Sequence, residues 1–156
     1  MENLFSNLSQ MQLNGLILLV VSLSLLAWSL WNLHLSVRSK TWPKVEGKIL
    51  EVPITKRTYI LKYQYLVDGK TYEHTRIFFT NSIEWERRAR SMRKIYKEGQ
   101  AVEVFYDFNN YKRAVLQPGR KDGLITSILF LTVFIIIGGT AYYNPYIIQE
   151  FISSIF

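Results

Sequence analysis

The sequence predicts an α+β membrane protein: two transmembrane helices flank a small, mainly antiparallel β domain, barrel- or sandwich-like, that carries one basic helix. Three observations carry that prediction. Two long segments are apolar and free of charge. All 19 Lys and Arg fall between Arg38 and Lys121, and with the ten carboxylates of residues 38–122 they leave that stretch a net charge of +9. The stretch between the apolar segments alternates polar and apolar residues at strand spacing around an Asp-Gly turn.

The first apolar segment, residues 13–33 (LNGLILLVVSLSLLAWSLWNL), is 21 residues long. At the helical rise it covers about 31 Å, enough for the hydrocarbon core of a bilayer. Residues 1–12 form a short tail without the positive region of a secretory signal, so an uncleaved anchor is expected. The second segment, residues 124–143 (LITSILFLTVFIIIGGTAYY), has 20 uncharged residues. Arg38, Lys40 and Lys44 follow the first span, and Arg120 and Lys121 precede the second. The far ends have no basic residue, so the positive-inside bias predicts a cytoplasmic middle and two outward termini in a plasma membrane of the bacterial inner-membrane type. Trp28 and Trp31 then belong to the inner interface, and Tyr142, Tyr143 and Tyr146 to the outer one. Asn144-Pro145 ends the second helix, because proline lacks a donor and clashes with the preceding turn. The tail, residues 144–156, is too short to span again; it rests in the interface or packs on a partner. Gly15, Gly138 and Gly139 are helix-packing candidates, since small residues let backbones approach. They serve either the contact between the two spans or one with a second copy or another subunit.

Residues 38–122 are long enough for a core of their own. Asp68-Gly69 is a two-residue hairpin signal. Pairing outward from it sets Tyr65 opposite Tyr72, Tyr63 opposite His74, Leu61 opposite Arg76 and Tyr59 opposite Phe78. The other face pairs Leu66 with Thr71, Gln64 with Glu73, Lys62 with Thr75 and Ile60 with Ile77. The aromatic-rich face is the expected core face. KVEGKILEV, residues 44–52, reads as a further strand. AVEVFY and RAVLQ form a second hairpin around DFNNYK, whose asparagines suit a left-handed turn.

Residues 85–97, WERRARSMRKIYK, read as a helix. Trp85, Ala89, Met92 and Tyr96 make an apolar stripe at spacings of 4, 3 and 4, which belongs on the sheet. Arg87, Arg88, Arg90, Arg93, Lys94 and Lys97 face outward and are the expected lipid- or partner-binding residues. The ordinary alternative is a solvated basic face. An anionic inner leaflet attracts each such cation by about 1 kcal/mol. An acidic protein also fits, whereas nucleic acid is not expected, since nothing here reads bases.

No enzyme is expected, and neither cofactor nor metal, because catalytic signatures are missing: there is no Gly-rich phosphate loop, no His-rich metal spacing and no nucleophile elbow. The chain has no cysteine. Opposite Tyr63, His74 reads as a hydrogen-bonded core histidine, while His34 sits at the membrane edge. Asp107 reads as the cap of its turn. Glu84 and Glu86 point apart on a helix and make a poor acid/base pair. Trp42 reads as a packing residue at the entrance to the sheet.

From TWPKVEGKI onward the sequence resembles a family of small membrane proteins, the domain of unknown function 3592 family. Trp42-Pro43, Gly47 and Ile49 match its opening, LKYQYLVDGKTYEHTRI its Tyr-rich hairpin, and YKEGQAVEVFYDFNNYKRAVLQPG its closing run. Phe108 and Tyr111 stand where that family often has prolines in the final turn. The resemblance covers residues 41–119 and implies a compact β domain between two membrane helices, with no established reaction.

The expected function is therefore a non-enzymatic membrane protein whose cytoplasmic β domain is an interaction module. It binds the anionic inner leaflet, a protein partner or another copy of itself. Accessory-subunit, envelope-factor and toxin-immunity roles all fit. The alternative is a sensor that binds a small anionic ligand, such as a nucleotide, through the β domain.

Overall fold

The computed structural model describes residues 8–52, 61–80, 92 and 94–155. The elements are α1 (Gln10–Arg38), a 3-10 turn (Ser39–Thr41), β1 (Lys44–Glu51), β2 (Lys62–Val67), β3 (Lys70–His74), β4 (Ala101–Asp107), β5 (Asn110–Val115), α2 (Leu124–Tyr143) and α3 (Pro145–Ile155). By contacts the chain divides into two compact units: residues 31–124, and a second made of residues 1–30 with 125–156.

The second unit contains most of two helices long and apolar enough to cross a membrane. α1 starts three residues before the expected span, and a capping box explains why. The Ser9 backbone N–H donates to Gln12 Oε1 at 3.0 Å, and the Gln12 N–H donates to Ser9 Oγ at 3.3 Å. Two otherwise unpaired donors are satisfied reciprocally. α1 and α2 run antiparallel, with Gly15 beside Gly138: a Cβ on either would lie 2.9 Å from the other's carbonyl oxygen. Gly139 meets α1 more loosely, a Cβ there touching only the Leu19 side chain, at 3.6 Å. Gln12 Nε2 donates to the Tyr142 carbonyl at 3.3 Å. Beyond Asn144, α3 sorts its apolar residues to one side, whereas α1 and α2 are apolar all round. Tyr146, Ile147 and Phe151 on α3 are exposed.

In the other unit five strands form one antiparallel sheet in the order β3-β2-β1-β4-β5. Asp68 and Gly69 both have positive φ, 49° and 72°, as a type I′ turn needs. That turn fixes the predicted register: Tyr65↔Tyr72, Tyr63↔His74, Leu66↔Thr71 and Gln64↔Glu73. The described β2–β3 ladder stops at Tyr63↔His74, so Leu61↔Arg76 and Lys62↔Thr75 do not form. Lys62 instead pairs with Glu51 across a bulge in β1, and its ammonium meets Glu73 at 2.7 Å. The pairs expected for Tyr59 and Ile60 lie outside the described residues.

The sheet curls until its edges meet. Ring centroids of Tyr72 and Tyr111 are 6.2 Å apart. The Ile77 carbonyl accepts from the Leu116 and Gln117 N–H groups at 2.9 and 2.8 Å. Since every ladder in the sheet is antiparallel, β3 and β5 run the same way, and this seam nearly closes a barrel. The predicted core face is inside: Tyr63, Tyr65 and Val67 pack with Ile49, Val104, Ala114 and Leu116. Hydroxyls span that interior, Tyr63 Oη donating to the Arg76 carbonyl at 2.7 Å and Tyr65 Oη to the Tyr111 carbonyl. Met92 and Tyr96, half of the predicted helical stripe, join the same core, and the Tyr96 N–H donates to the Met92 carbonyl at 2.8 Å. Trp85 and Ala89 lie outside the described residues.

A second cluster joins Leu35, Trp42, Phe79 and Val115, with Phe105 against it. Here the chain leaves α1 and enters the sheet, as expected of Trp42. The β4–β5 turn corrects one expectation. Among the described non-glycine residues only Asp68 has positive φ, so the asparagines do not supply a left-handed turn. Asp107 Oδ1 accepts from the Asn109 N–H at 3.0 Å instead, and Asn110 Oδ1 accepts from the Lys112 N–H at 3.2 Å. Side-chain acceptors that mimic a turn hold the backbone without positive φ.

Candidate functional site

The chemistry-bearing side chains of the barrel gather along the β3–β5 seam. The seam, set by Tyr72 beside Tyr111 and by Ile77 bonded to Leu116, has His74 and Arg76 on one side and Arg113 on the other, with Arg76 within electrostatic reach of both. All three are half-buried.

Each has a distinct environment. His74 stacks on Tyr63 at 6.1 Å, and its Nδ1 accepts from the Thr75 N–H at 2.8 Å. With Nδ1 occupied as an acceptor, the neutral ring carries its proton on Nε2. Burial, helped by the charge of Arg76, lowers its pKa to about 4, so at neutral pH the ring is an uncharged donor. Asp107 is buried and ion-paired to Arg113 at 3.0 Å. It thus does more than cap the turn: its second oxygen neutralises a half-buried guanidinium. Arg76 lies over the Phe79 ring with Cζ 4.9 Å from the centroid. Burial lowers its pKa, the Tyr63 phenol opposes that, and Arg113 adds to it. Burial also pushes the Tyr65 phenol up to about 12, with Tyr72 contributing. The Tyr63 phenol is raised further, mainly by burial.

Among the described residues no group of three or more His, Cys, Asp or Glu is placed to hold a metal ion. His34 is exposed beside Trp31, their rings stacked at 5.9 Å. Trp42 is buried, and its Nε1–H has no acceptor among the described residues.

A model of one protein family matches residues 37–121. The chain belongs to that family, described as Domain of unknown function (DUF3592). No curated protein and no solved structure matches the chain. The DUF3592 segment takes in the whole curled sheet, from β1 to β5, together with the turn that carries Trp42.

Of the six basic residues expected to bind lipid or a partner, Lys94 and Lys97 are exposed. Arg87, Arg88, Arg90 and Arg93 lie outside the described residues, as do Glu84 and Glu86. The rest of the DUF3592 segment adds Arg38, Lys40, Lys44, Lys48, Lys70, Lys112 and Lys121 to the exposed cations. Lys44 shares its charge with Glu103 at 2.6 Å, but both are well exposed, so the pair adds little. Sequence reasoning overlooked Arg76 and Arg113. Reading Arg76 as a strand residue opposite Leu61 concealed it, and the seam beside it joins residues some forty positions apart.

Proposed function

We propose that this DUF3592 protein is a two-span membrane protein whose basic β domain lies on the cytoplasmic side and binds the anionic inner leaflet, without chemistry of its own. One observation carries the reading: every Lys and Arg of the chain lies between Arg38 and Lys121, and none lies beyond the spans. The same asymmetry that orients a membrane protein also gives the domain an excess of cations next to the surface they are attracted to. Clusters of Lys and Arg close to a membrane bind acidic headgroups additively, at about 1 kcal/mol each. Lys94 and Lys97, both exposed, are the described members of the stretch 85–97, which holds six of the 19 basic residues. An acidic protein would use the same surface.

Absence of cysteine makes the topology simple to test. Single cysteines at Asn110 and Ser153, both exposed, are labelled on intact cells with a membrane-impermeant maleimide. Ser153→Cys should react and Asn110→Cys only after lysis; the reverse pattern refutes the orientation. For the leaflet contact, the full chain in phosphatidylcholine nanodiscs is mixed with phosphatidylglycerol vesicles. Co-flotation should disappear at high salt and in Arg87→Glu/Arg90→Glu/Lys94→Glu. Undiminished co-flotation of that variant refutes the contact.

A further inference from the structure

We propose that the β3–β5 seam holds a binding site for a small phosphate-type anion, with Arg76 as its principal ligand and Arg113 and His74 beside it. This goes beyond the surface attraction described above and uses different residues.

Four described cations are half-buried: Lys62, Arg76, Arg113 and Arg120. Three have carboxylate partners, Lys62 with Glu73, Arg113 with Asp107 and Arg120 with Asp122. Among the described residues Arg76 has none; its guanidinium rests on the Phe79 ring alone. A charge withdrawn from water is costly unless it is paired, and a cation–π contact replaces only part of what hydration supplied. The second guanidinium at the seam raises that cost. Asp107, the buried carboxylate near the seam, is ion-paired to Arg113 and accepts from the Asn109 N–H, and among the described residues it forms no ion pair with Arg76.

The seam therefore has a surplus of donors and of positive charge. Arg76 presents a planar fork with five N–H groups, Arg113 has donors left over, and His74 contributes an Nε2–H. This set exceeds what a carboxylate accepts, whereas a phosphate group brings several oxygens and fits the guanidinium fork bidentately. Partial exposure of all three residues lets a small anion reach them without opening the barrel. The phosphate belongs either to a lipid headgroup or to a soluble phosphate or phosphate ester.

The test uses the full chain in phosphatidylcholine nanodiscs, with thermal unfolding followed by aromatic circular dichroism during titration with inorganic phosphate, and chloride at matched ionic strength as reference. Wild type should be stabilised by phosphate beyond chloride. Arg76→Gln should weaken the apparent affinity at least tenfold, whereas Lys112→Gln, on the exposed part of β5, should respond as wild type. Arg76→Lys keeps the charge without the fork and should weaken it at least threefold, which keeps the test decisive if the glutamine variant does not fold. Phosphatidylglycerol nanodiscs separate the sources: a headgroup ligand abolishes the response to added phosphate, and a soluble ligand leaves it intact. The site is refuted if wild type responds to phosphate no more than to chloride and melts alike in both lipids. It is equally refuted if both Arg76 variants respond as wild type.

Discussion

Replacing Gly47 by alanine sets two effects of opposite sign against each other, and the structure decides between them. Gly47 lies in β1, the central strand, paired with Tyr65 on one side and Val102 on the other. Elsewhere in a strand the change would stabilise by about 0.5–1 kcal/mol, through the lost freedom of the unfolded chain. Here the new Cβ would lie 2.6 Å from the Gln64 carbonyl oxygen and 2.6 Å from Val104 Cγ2. Neither can withdraw: the carbonyl is backbone of the neighbouring strand, and Val104 is fully buried. Overpacking of that kind costs about 1–3 kcal/mol, and two simultaneous clashes place it in the upper part of the range. The net loss is about 1–2 kcal/mol, or a fall in melting temperature of roughly 5–15 °C for a unit of this size. Aromatic circular dichroism of the full chain in neutral nanodiscs reads the transition of the tyrosine core directly. Gly69→Ala is the contrast, since open space surrounds that position and only its positive φ is penalised, by about 1–2 kcal/mol. Melting of Gly47→Ala at or above the wild-type temperature would refute the close approach of β1 to β2.

Three further outcomes are expected. The folded state holds His74 neutral down to about pH 4, whereas an unfolded histidine protonates near pH 6.5; between these values the unfolded chain binds more protons, so stability falls as pH drops from 6.5 to 4. Allowing for solvent screening this is about 1–2 kcal/mol, and denaturant midpoints against pH should flatten in His74→Gln; an unchanged slope there refutes the assignment. Trp42→Phe should cost under about 1.5 kcal/mol, because it removes a buried N–H that lacks an acceptor among the described residues, whereas Trp42→Ala should cost about 3–5 kcal/mol; equal losses in thermal melts would contradict this. A cysteine pair at Gln12 and Tyr142 should form a disulfide readily, severalfold more slowly with Gly138→Ile and little changed with Gly139→Ile, since only the former meets α1 backbone and the latter only the Leu19 side chain; equal slowing would refute the closer approach at Gly138.

How far the sequence discloses this fold depends on the range of the interaction. The Asp68-Gly69 turn fixes its own register, so every pair up to Tyr63↔His74 is legible from local chemistry. Beyond that the expected ladder fails, because β1 bulges between Ile49 and Glu51 and the chain after His74 turns to Leu116 rather than to Leu61. The second hairpin is legible as a hairpin, but its turn is held by Asp107 and Asn110 side chains, and residue type alone does not separate that device from a left-handed backbone. Ser9 and Gln12 carry a legible capping signal that moves the start of α1 forward. The seam was not legible at all. Arg76, Arg113 and His74 are ordinary strand residues until parallel closure of the sheet brings them together.

The tyrosine hydroxyls inside the barrel have one more consequence. An interior of hydrocarbon alone tolerates small slips, because methyl groups are interchangeable neighbours. Tyr63 ends instead on the Arg76 carbonyl just beyond β3, and Tyr65 on the Tyr111 carbonyl of β5, so sliding one strand against another would strand a phenol in a dry interior. These two cross-ties act as a ruler, admitting one alignment of the sheet and rejecting its near copies.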